Sequence, residues 1–534
     1  MELRTLSYAE SGRFAPLVTD YLAGDPFLAD FHLHSPDLKG LRSAAAERTF
    51  SAVHRSVLVA AIRRQYTGID LGGPVGANIA LLEQADTLTV TTGHQLCLFT
   101  GPLYVPFKLL NAVHLARTLS KDLGRAVVPV FWMATEDHDR AEIDHTWVNG
   151  ERISWPGSAG GAVGRMPLSG IGSAINALEA KAQGAFGNEL AGVVRDAYRP
   201  ENTLAEGTRR FVHALFGKYG LVIIDGDDKA LKTLFVPVMR EEILNGIVKR
   251  SVDFADERLK KRYAAQAHAR SINLFHLRPG HRSRIEADGD HFQVLDGGPR
   301  FTAEELLLDL EVRPQDYSPN VLLRPVYQEL VLPNIAAIGG GGEVAYWMQL
   351  RWLFQAVGVP MPVVMLRTSA AFLSAKSDRL RSELGLELID LFRPAHDLRT
   401  QVARAGAEGD QALGKEMEQM ETLFRSVREK VAAVDPTLGA SAESGAKRTL
   451  RMLEGLVGKM DRARRRTEHV RIDRLQRILD ELFPDGGLQE RRDNILPMLA
   501  ERGLGILDVL LERLDPLEAR FTVLIGDQLV ANVQ

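Results

Sequence analysis

The 534-residue sequence contains a single cysteine, Cys97. One thiol can form neither an internal disulfide nor a cysteine-rich zinc site, and cysteine-poor chains are typical of a reducing compartment. We therefore predict a cytoplasmic protein. Cys97 lies inside an apolar Leu-Cys-Leu-Phe segment, which favours a packed thiol over a nucleophile.

Long apolar runs and an excess of positive charge are also lacking. No stretch approaches the roughly 20 consecutive apolar residues that a membrane helix needs, and the first residues show no signal-peptide pattern. The net charge of −4 provides no basic face for nucleic acid. We expect neither membrane nor nucleic acid as a partner. No Ser-His-Asp elbow or H-E-x-x-H motif is present, and we expect no metal.

Alternating strand and helix patterns indicate the fold class. Helical spacing is found over 103–119 and again around Tyr346 to Ala356. Short β-prone or apolar runs, of the kind that form buried parallel strands, are found at Leu88–Thr92, Ala126–Trp132, Leu221–Asp225 and Val363–Leu366. This alternation predicts an α/β fold with a doubly wound parallel sheet.

The length of the chain predicts about two to four domains. We assign the α/β core to residues 1–385, with insertions at about 150–200 and 265–315 that are richer in Gly, Pro and polar residues. In the second insertion, Asp296-Gly297 predicts the turn of a β-hairpin.

Residues 386–487 show heptad spacing. One apolar seam runs through Leu413, Met417, Met420, Phe424, Val427, Val431 and Val434, and a second through Leu450, Leu453, Val457, Met460, Leu475, Ile478 and Leu482. Because Pro436 and Gly439 interrupt the pattern, we predict two long helices joined by a loop, as an antiparallel coiled-coil arm. The two helices could simply bury each other; we favour a homodimer through the arm. Residues 488–534 are predicted to pack on the core.

In an open α/β sheet, ligands bind beyond the carboxyl ends of the strands. The first such segment is 92–104, where Gly93, His94 and Gln95 follow a strand. Thr100-Gly101-Pro102 is predicted to open a helix, with Thr100 as its cap and its amides facing an anion such as phosphate or carboxylate. Tyr104 and Lys108 would lie nearby. The alternative is a capped helix with no ligand.

Two further segments carry polar side chains that suit a ligand. Glu136-Asp137-His138-Asp139 directly follows a strand and could bind an amine, a ribose or, less favoured, a metal; the alternative is a solvated turn that caps the next helix. Arg324 is predicted in an extended stretch, where its guanidinium could bind a carboxylate, with Tyr327 and Gln328 close behind. The alternative for Arg324 is a surface salt bridge.

A fourth segment is the glycine run 339–342, which allows close backbone approach to a ligand. Gly341, Glu343 and Tyr346 begin the helix that follows, and Arg367 comes directly after the last strand. Together the four segments suit a small polar ligand that carries a carboxylate and an amine or hydroxyl group.

These segments, in the order TGHQ, LFTGPLY, PVFWMATEDHD, SPNVLLRPVYQELVLPNIAAIGGGGEVAYW and PMPVVMLRTSA, resemble the bacillithiol biosynthesis cysteine-adding enzymes, the BshC family. The resemblance covers most of the chain, although this chain has His94-Gln95 where many relatives have two glutamines. It implies a Rossmann-like core with connecting-peptide insertions and a dimerising coiled coil. It also implies a ligase that joins the carboxyl group of L-cysteine to the amine of glucosaminyl-malate.

The implied amide formation needs an activated carboxyl group. A synthetase-like route would use ATP or another nucleotide, but no HIGH motif is present and Ser374-Ala375-Lys376-Ser377 is only loosely similar to a KMSKS loop. Under this resemblance, Arg324, Arg367 or Lys108 would bind the malate carboxylates, and Glu136, Asp137 or Asp139 the amines. Asp137 or His138 would act as general base. The alternatives are another aminoacyl- or nucleotidyl-transferase and a non-catalytic coiled-coil scaffold.

Overall fold

A computed structural model describes residues 2–157, 160–407 and 413–526. The strands are β1 Glu2–Ser7, β2 Leu88–His94, β3 Val127–Met133, β4 His145–Val148, β5 Glu151–Ser154, β6 Val222–Asp225, β7 Leu274–Arg278, β8 His281–Asp288, β9 His291–Val294, β10 Arg300–Thr302, β11 Tyr317–Pro319, β12 Asn334–Gly339, β13 Val363–Leu366, β14 Ala370–Leu373 and β15 Arg520–Ile525.

The α-helices connect and cover these strands. They are α1 Tyr8–Ser11, α2 Pro16–Leu22, α3 Leu38–Glu47, α4 Ala52–Gln65, α5 Pro74–Leu81, α6 Tyr104–Leu123, α7 Arg140–Ile143, α8 Ile171–Lys181, α9 Gly187–Ala197, α10 Leu204–Phe216, α11 Lys229–Asn245, α12 Ile247–Leu259, α13 Ala303–Val312, α14 Arg324–Val331, α15 Gly341–Trp347, α16 Arg351–Val357, α17 Ala375–Glu383, α18 Ala395–Ala407, α19 Gly414–Ala432, α20 Pro436–Leu482, α21 Leu496–Arg502 and α22 Gly505–Arg513.

The described chain separates into two compact units. The larger contains the residues up to Phe372 together with Gly487–Leu524, and the smaller contains Leu373–Gly486.

The core of the larger unit is a five-stranded sheet in the order β13-β12-β2-β3-β6, with every neighbouring pair parallel. The predicted α/β fold with a parallel sheet is confirmed. Nearly all residues of these strands are buried, as expected for a sheet that helices cover on both faces. On one face α6 packs its Leu115 and Leu119 against Val90 of β2 and Ile338 of β12.

The helix predicted around Tyr346 to Ala356 is two helices, α15 and α16, with a break at 348–350. Gln349 lies in the break, and its side chain is fully buried. Its Oε1 accepts from the amides of Gln266 and Ala267, and its Nε2 donates to Asp256 at 2.6 Å. Leaving these groups unpaired would cost more than an interrupted helix.

The insertions contain their own secondary structure. Residues 265–315 hold most of an antiparallel sheet in the order β10-β9-β8-β7-β11. The predicted hairpin is present as β9 and β10, and both Asp296 and Gly297 have positive φ (54° and 69°) in its turn. The 150–200 range contains β5, α8 and α9.

The smaller unit contains the helical hairpin. α19 and α20 are joined by residues 433–435 alone, so Pro436 and Gly439 lie in the first turns of α20 rather than in a loop. Asp435 caps α20 by accepting the Thr437 amide, and Pro436 fits the first turn because its missing N–H has no partner there. No helix within the described part of the chain is long and apolar enough to cross a bilayer.

Residues 487–524 contact the α/β core within the larger unit. Asn494 Nδ2 donates to the carbonyls of Phe99 and Gly101 and to Thr146 Oγ1. On α6, Asn111 Nδ2 donates to the carbonyl of Leu514. The predicted segment runs on to 534, and its residues 527–534 lie outside the described ones.

Candidate functional site

A cleft of about 270 Å³ opens at the carboxyl ends of β2, β3 and β12. Residues after three different strands therefore meet in one place, as the parallel sheet requires. The cleft is lined by Thr91, Gly93, His94, Gln95, Lys108, Trp132, Ala134, Asp137, Val321, Arg324, Pro325, Gln328, Ala337, Ile338, Gly339, Glu343, Tyr346, Trp347 and Val364.

Asp137 is the acid of the Glu136–Asp139 turn that faces the cleft. Its Oδ2 accepts from Gln95 Nε2 at 3.1 Å and lies 3.7 Å from Arg324 Nη1, and its Oδ1 lies 3.7 Å from Arg282 Nη1. Burial works to raise the pKa of Asp137, but the charges of Arg324 and Arg282 and the hydrogen bond from Gln95 hold it well below its usual range. Asp137 is therefore ionised at neutral pH.

Arg282, on β8, contacts the ring of His138 and indicates its tautomer. Its Nη1 donates to His138 Nδ1 at 3.0 Å, and its other nitrogens donate to Ser318 Oγ and the Pro319 carbonyl. Since a guanidinium only donates, His138 Nδ1 accepts in this contact, and in the neutral ring the proton lies on Nε2. Burial lowers the pKa of Arg282 to about 10, so it remains charged.

Lys108 and Glu343 form an ion pair in the cleft wall, in which Lys108 is buried and Glu343 is partly exposed. Lys108 Nζ lies 2.5 Å from Glu343 Oε2 and donates to the Gly93 carbonyl at 2.8 Å. The same Glu343 oxygen accepts the Gly340 amide at 2.7 Å, at the start of α15. Burial works to raise the pKa of Glu343, but Lys108 and the Gly340 amide hold it below its ordinary value. The pair ties β2, α6 and the glycine run together.

His94 is neutral in this setting. Its Nδ1 lies 3.0 Å from the Gln95 carbonyl and so carries the proton, while Nε2 accepts from the Tyr104 hydroxyl at 3.0 Å. Burial, assisted by the charge of Lys108, lowers the pKa of His94 to about 4. Cys97 is also buried, and its pKa is raised to about 12, which agrees with a packed thiol.

The His94 environment leads to a pH prediction. An NMR titration is expected to give His94 a pKa near 4 instead of its ordinary 6.5. Because the unfolded chain then binds a proton more readily than the folded one, this group contributes stability above about pH 6.5 that is lost as pH falls toward 4. His94→Gln identifies the resonance and removes that part of the pH dependence. A measured pKa of 6 or above would contradict the assigned tautomer and burial.

Thr100 and Gly101 do not line the cleft, and the predicted helix cap is wrong. The helix begins at Tyr104, and Phe99 and Thr100 both have positive φ (53° and 72°). The Thr100 hydroxyl is buried and finds no hydrogen-bond partner within the described residues. The Leu103 amide donates to the Asp493 carbonyl at 2.8 Å and the Gly101 amide to the Leu98 carbonyl at 2.9 Å, so neither is free for an anion. Tyr104 lies behind the cleft and bonds His94.

Glu136, His138 and Asp139 also lie outside the cleft lining. Glu136 is buried and pairs with Lys232 Nζ at 2.7 Å, which in turn pairs with Asp227 at 2.6 Å. His138 is half-exposed and Asp139 is exposed at the start of the short helix α7, which it does not cap through its side chain. Of the four residues of this turn, only Asp137 faces the cleft.

Three further predicted site residues do not line the cleft: Tyr327, Gly341 and Arg367. The Tyr327 hydroxyl donates to the Gly226 carbonyl at 2.7 Å in the core. Arg367 makes a bidentate ion pair with Glu490 at 2.8 and 2.6 Å. Gly341 lies beside Phe14 and Val18.

Arg324 lies in the cleft wall, but the extended stretch predicted for it is wrong. It is the first residue of α14, and Pro325 occupies the first turn, where proline is favoured. Its Nε is buried without a hydrogen-bond partner in the described part of the chain. Gln328 and Tyr346 also line the cleft.

Sequence analysis missed three charged residues that shape the site. Arg282 lies in an inserted hairpin, Lys232 on α11 and Glu490 in the C-terminal segment. Each acts through a partner more than 90 residues away, and no local spacing marks such a pair.

A larger cavity of about 1070 Å³ lies between residues 160–167 and the β7–β10 region. Two of its arginines are already paired, Arg165 with Asp227 and Arg313 with Asp309. The small cleft has the greater density of polar groups at strand ends. In the described ranges, no three His, Cys, Asp or Glu side chains converge as metal ligands would.

Fold and cleft define a class: a Rossmann-like α/β protein with a polar cleft at the carboxyl ends of its strands and an added helical hairpin. Residues 1–368 match the family described as "Bacillithiol biosynthesis BshC, N-terminal Rossmann-like domain", and residues 370–525 match its "C-terminal coiled-coil domain". The chain belongs to the BshC family.

Relatives resemble the chain along nearly its whole length. A protein of Flavobacterium johnsoniae is 34% identical over 97% of this chain and 99% of its own. One of Cytophaga hutchinsonii is 33% identical over 95% and 96%, and one of Bacillus cereus is 28% identical over 96% and 98%. All three are named "Putative cysteine ligase BshC".

Proposed function

We propose that this protein joins the carboxyl group of L-cysteine to the amine of glucosaminyl-malate in bacillithiol synthesis. The family and the names of its members support this function. The observation that carries it is an ionised carboxylate, Asp137, facing Arg324 in one cleft of about 270 Å³. That volume is slightly below the roughly 300–1,000 Å³ of clefts for drug-sized ligands, and it suits a small zwitterion.

In this proposal Asp137 binds an ammonium or amine group. Its depressed pKa favours a charged hydrogen-bond acceptor over a proton acceptor. His138 carries its proton on Nε2 when it accepts from Arg282, so in this state its exposed nitrogen donates. The geometry therefore favours binding and orientation by Asp137 over the general-base role that sequence predicted for Asp137 or His138.

Arg324 is the cation best placed for a substrate carboxylate. Of the three predicted cations, Lys108 is paired with Glu343 and Arg367 with Glu490. Arg324 lies in the cleft wall, 3.7 Å from Asp137, and retains an unpaired Nε within the described residues. A guanidinium fork matches a carboxylate in two parallel hydrogen bonds.

The residues predicted to hold a nucleotide phosphate do not fit that group. The Leu103 amide is occupied and Gly101 is buried. Within the smaller unit, the Ser374 and Ser377 hydroxyls both donate to Glu481, whose carboxylate disfavours an anion. Activation of cysteine by ATP or another nucleotide remains a prediction, and no step of the proposal passes through it.

A second copy of the chain is the proposed partner of the hairpin. Leu423, Val427, Met452 and Leu456 are 57%, 38%, 60% and 42% exposed, although the sequence places them in helices of coiled-coil type. A homodimer would bury such side chains. Sedimentation equilibrium of the full chain is expected to give twice the monomer mass, and a monomer at micromolar concentration would contradict this.

The cellular test is mass spectrometry of small thiols in a strain that lacks this protein, which we expect to act in the cytoplasm. We expect glucosaminyl-malate to accumulate and its cysteinyl product to disappear, and re-expression to reverse both changes. Unchanged product would overturn the proposal. A transferase with another acceptor would instead leave this thiol intact and release pyrophosphate only with that acceptor.

A further inference from the structure

Glu329 lies directly behind the cleft wall, on α14. It is 1% exposed, and its Oε1 accepts two amide N–H groups, from Gln328 Nε2 at 2.9 Å and from Asn334 Nδ2 at 2.8 Å. Its Oε2 is buried without a hydrogen-bond partner in the described part of the chain. Arg48 donates to the Glu329 carbonyl and so holds the backbone here. No sequence motif marked this residue.

The side-chain amides of Gln328 and Asn334 both donate to Glu329, so the side-chain oxygen of each is turned toward other groups. Asn334 presents its Oδ1 to the hydroxyls of Thr89 and Thr91, at 3.2 and 2.9 Å, and Thr91 lines the cleft. Gln328 must present its Oε1 on the side away from Glu329, and a Cβ on Gly93 would lie 3.7 Å from that oxygen. Gln328 itself lines the cleft.

A carboxylate at this position allows only one orientation of each side-chain amide. Two N–H donors can share Glu329 Oε1, whereas a flipped Gln328 would place its carbonyl oxygen against a buried carboxylate oxygen and lose a hydrogen bond. Burial raises the pKa of Glu329 to about 7. A bound proton would occupy Oε2, since Oε1 faces two donors, so Gln328 keeps its orientation in either state.

We propose that Glu329 is a positioning residue that fixes the Gln328 carbonyl oxygen toward the cleft, as the acceptor for an N–H group of an amine substrate. This inference rests on the proposed function, because that function supplies two amines, L-cysteine and glucosaminyl-malate. With Asp137, Gln328 would give the ammonium group a second acceptor in the same cleft.

The experiment is calorimetric titration of each amine into the full-length protein and four variants. In Glu329→Leu and in Gln328→Leu we expect the Kd of at least one amine to rise about tenfold, the loss of one hydrogen bond to a charged group. The double leucine variant should show no further rise, because both changes remove the same acceptor. Thermal unfolding of each variant checks that the titrated protein is folded.

The exchange variant Gln328→Glu/Glu329→Gln is the matched control. It keeps an acceptor toward the cleft, now a charged one, and a donor between the two side chains, so it should bind the amine at least as tightly as wild type. Wild-type affinity in Glu329→Leu, or an exchange variant as weak as the leucine variants, would overturn the inference while leaving the proposed function standing. A wild-type protein that binds neither amine would overturn both.

Discussion

Replacing Asp137 by asparagine is expected to lower kcat/KM for cysteine addition at least 100-fold, about the loss that follows when one member of a desolvated charge pair is neutralised. Asparagine has the same size, and its single carbonyl oxygen can still accept from the His138 amide, so the turn should keep its shape while the bond from Gln95 is lost. What it lacks is the charge that faces Arg324 and Arg282. An ammonium group would then meet two arginines without the Asp137 carboxylate that faces them.

Steady-state kinetics and circular dichroism test this prediction together. The matched control is Asp290→Asn, at an exposed turn between β8 and β9, which should leave kcat/KM unchanged. Full activity in Asp137→Asn with an unaltered spectrum would remove Asp137 from the site. A collapsed spectrum would show that the carboxylate is needed for folding rather than for binding.

Truncating Glu490 to alanine is expected to lower the free energy of unfolding by about 3–5 kcal/mol, the usual cost of leaving one member of a buried ion pair alone. Glu490 is fully buried, makes the bidentate pair with Arg367 and accepts the Ala370 amide at 3.0 Å. The variant would leave the Arg367 guanidinium charged and enclosed. The pair therefore holds the C-terminal segment against the end of the parallel sheet.

Urea unfolding at neutral pH measures this cost. Asp253→Ala breaks an exposed pair with Lys249 on α12 and should change stability by less than about 1 kcal/mol. Adding Arg367→Ala to the Glu490 variant should recover part of the loss, because the uncompensated charge is removed. A loss below about 1 kcal/mol in Glu490→Ala would show that water reaches Arg367.

The parallel sheet was predictable because its strands are marked locally. A run such as Val127–Met133 is apolar at nearly every position, which only a strand covered on both faces requires. Asp137 could be placed in the cleft by the same logic, since the carboxyl ends of parallel strands meet at one edge. The sequence alone could not say that its neighbour Glu136 points away, toward Lys232 on α11.

Other features of the structure depend on contacts between residues far apart in the sequence, which local patterns do not reveal. The sequence predicts Thr100 as a helix cap, but Thr100 and Phe99 both adopt positive φ and the helix starts four residues later. The heptad pattern predicts a loop at Pro436, but the residue lies in the first turn of α20, where proline is favoured. The partners of Asp137 and Arg367 come from an inserted hairpin and from the C-terminal segment.

The central claim is that the ends of one parallel sheet form a site where cysteine and an amine are joined. Its most direct test is mass spectrometry of purified protein incubated with L-cysteine and glucosaminyl-malate, with and without ATP. We expect a product equal in mass to the two substrates less one water, absent when Asp137→Asn replaces the wild-type protein. Folded wild-type protein that makes no such product under either condition, or an Asp137→Asn variant that makes it equally fast, would contradict the account.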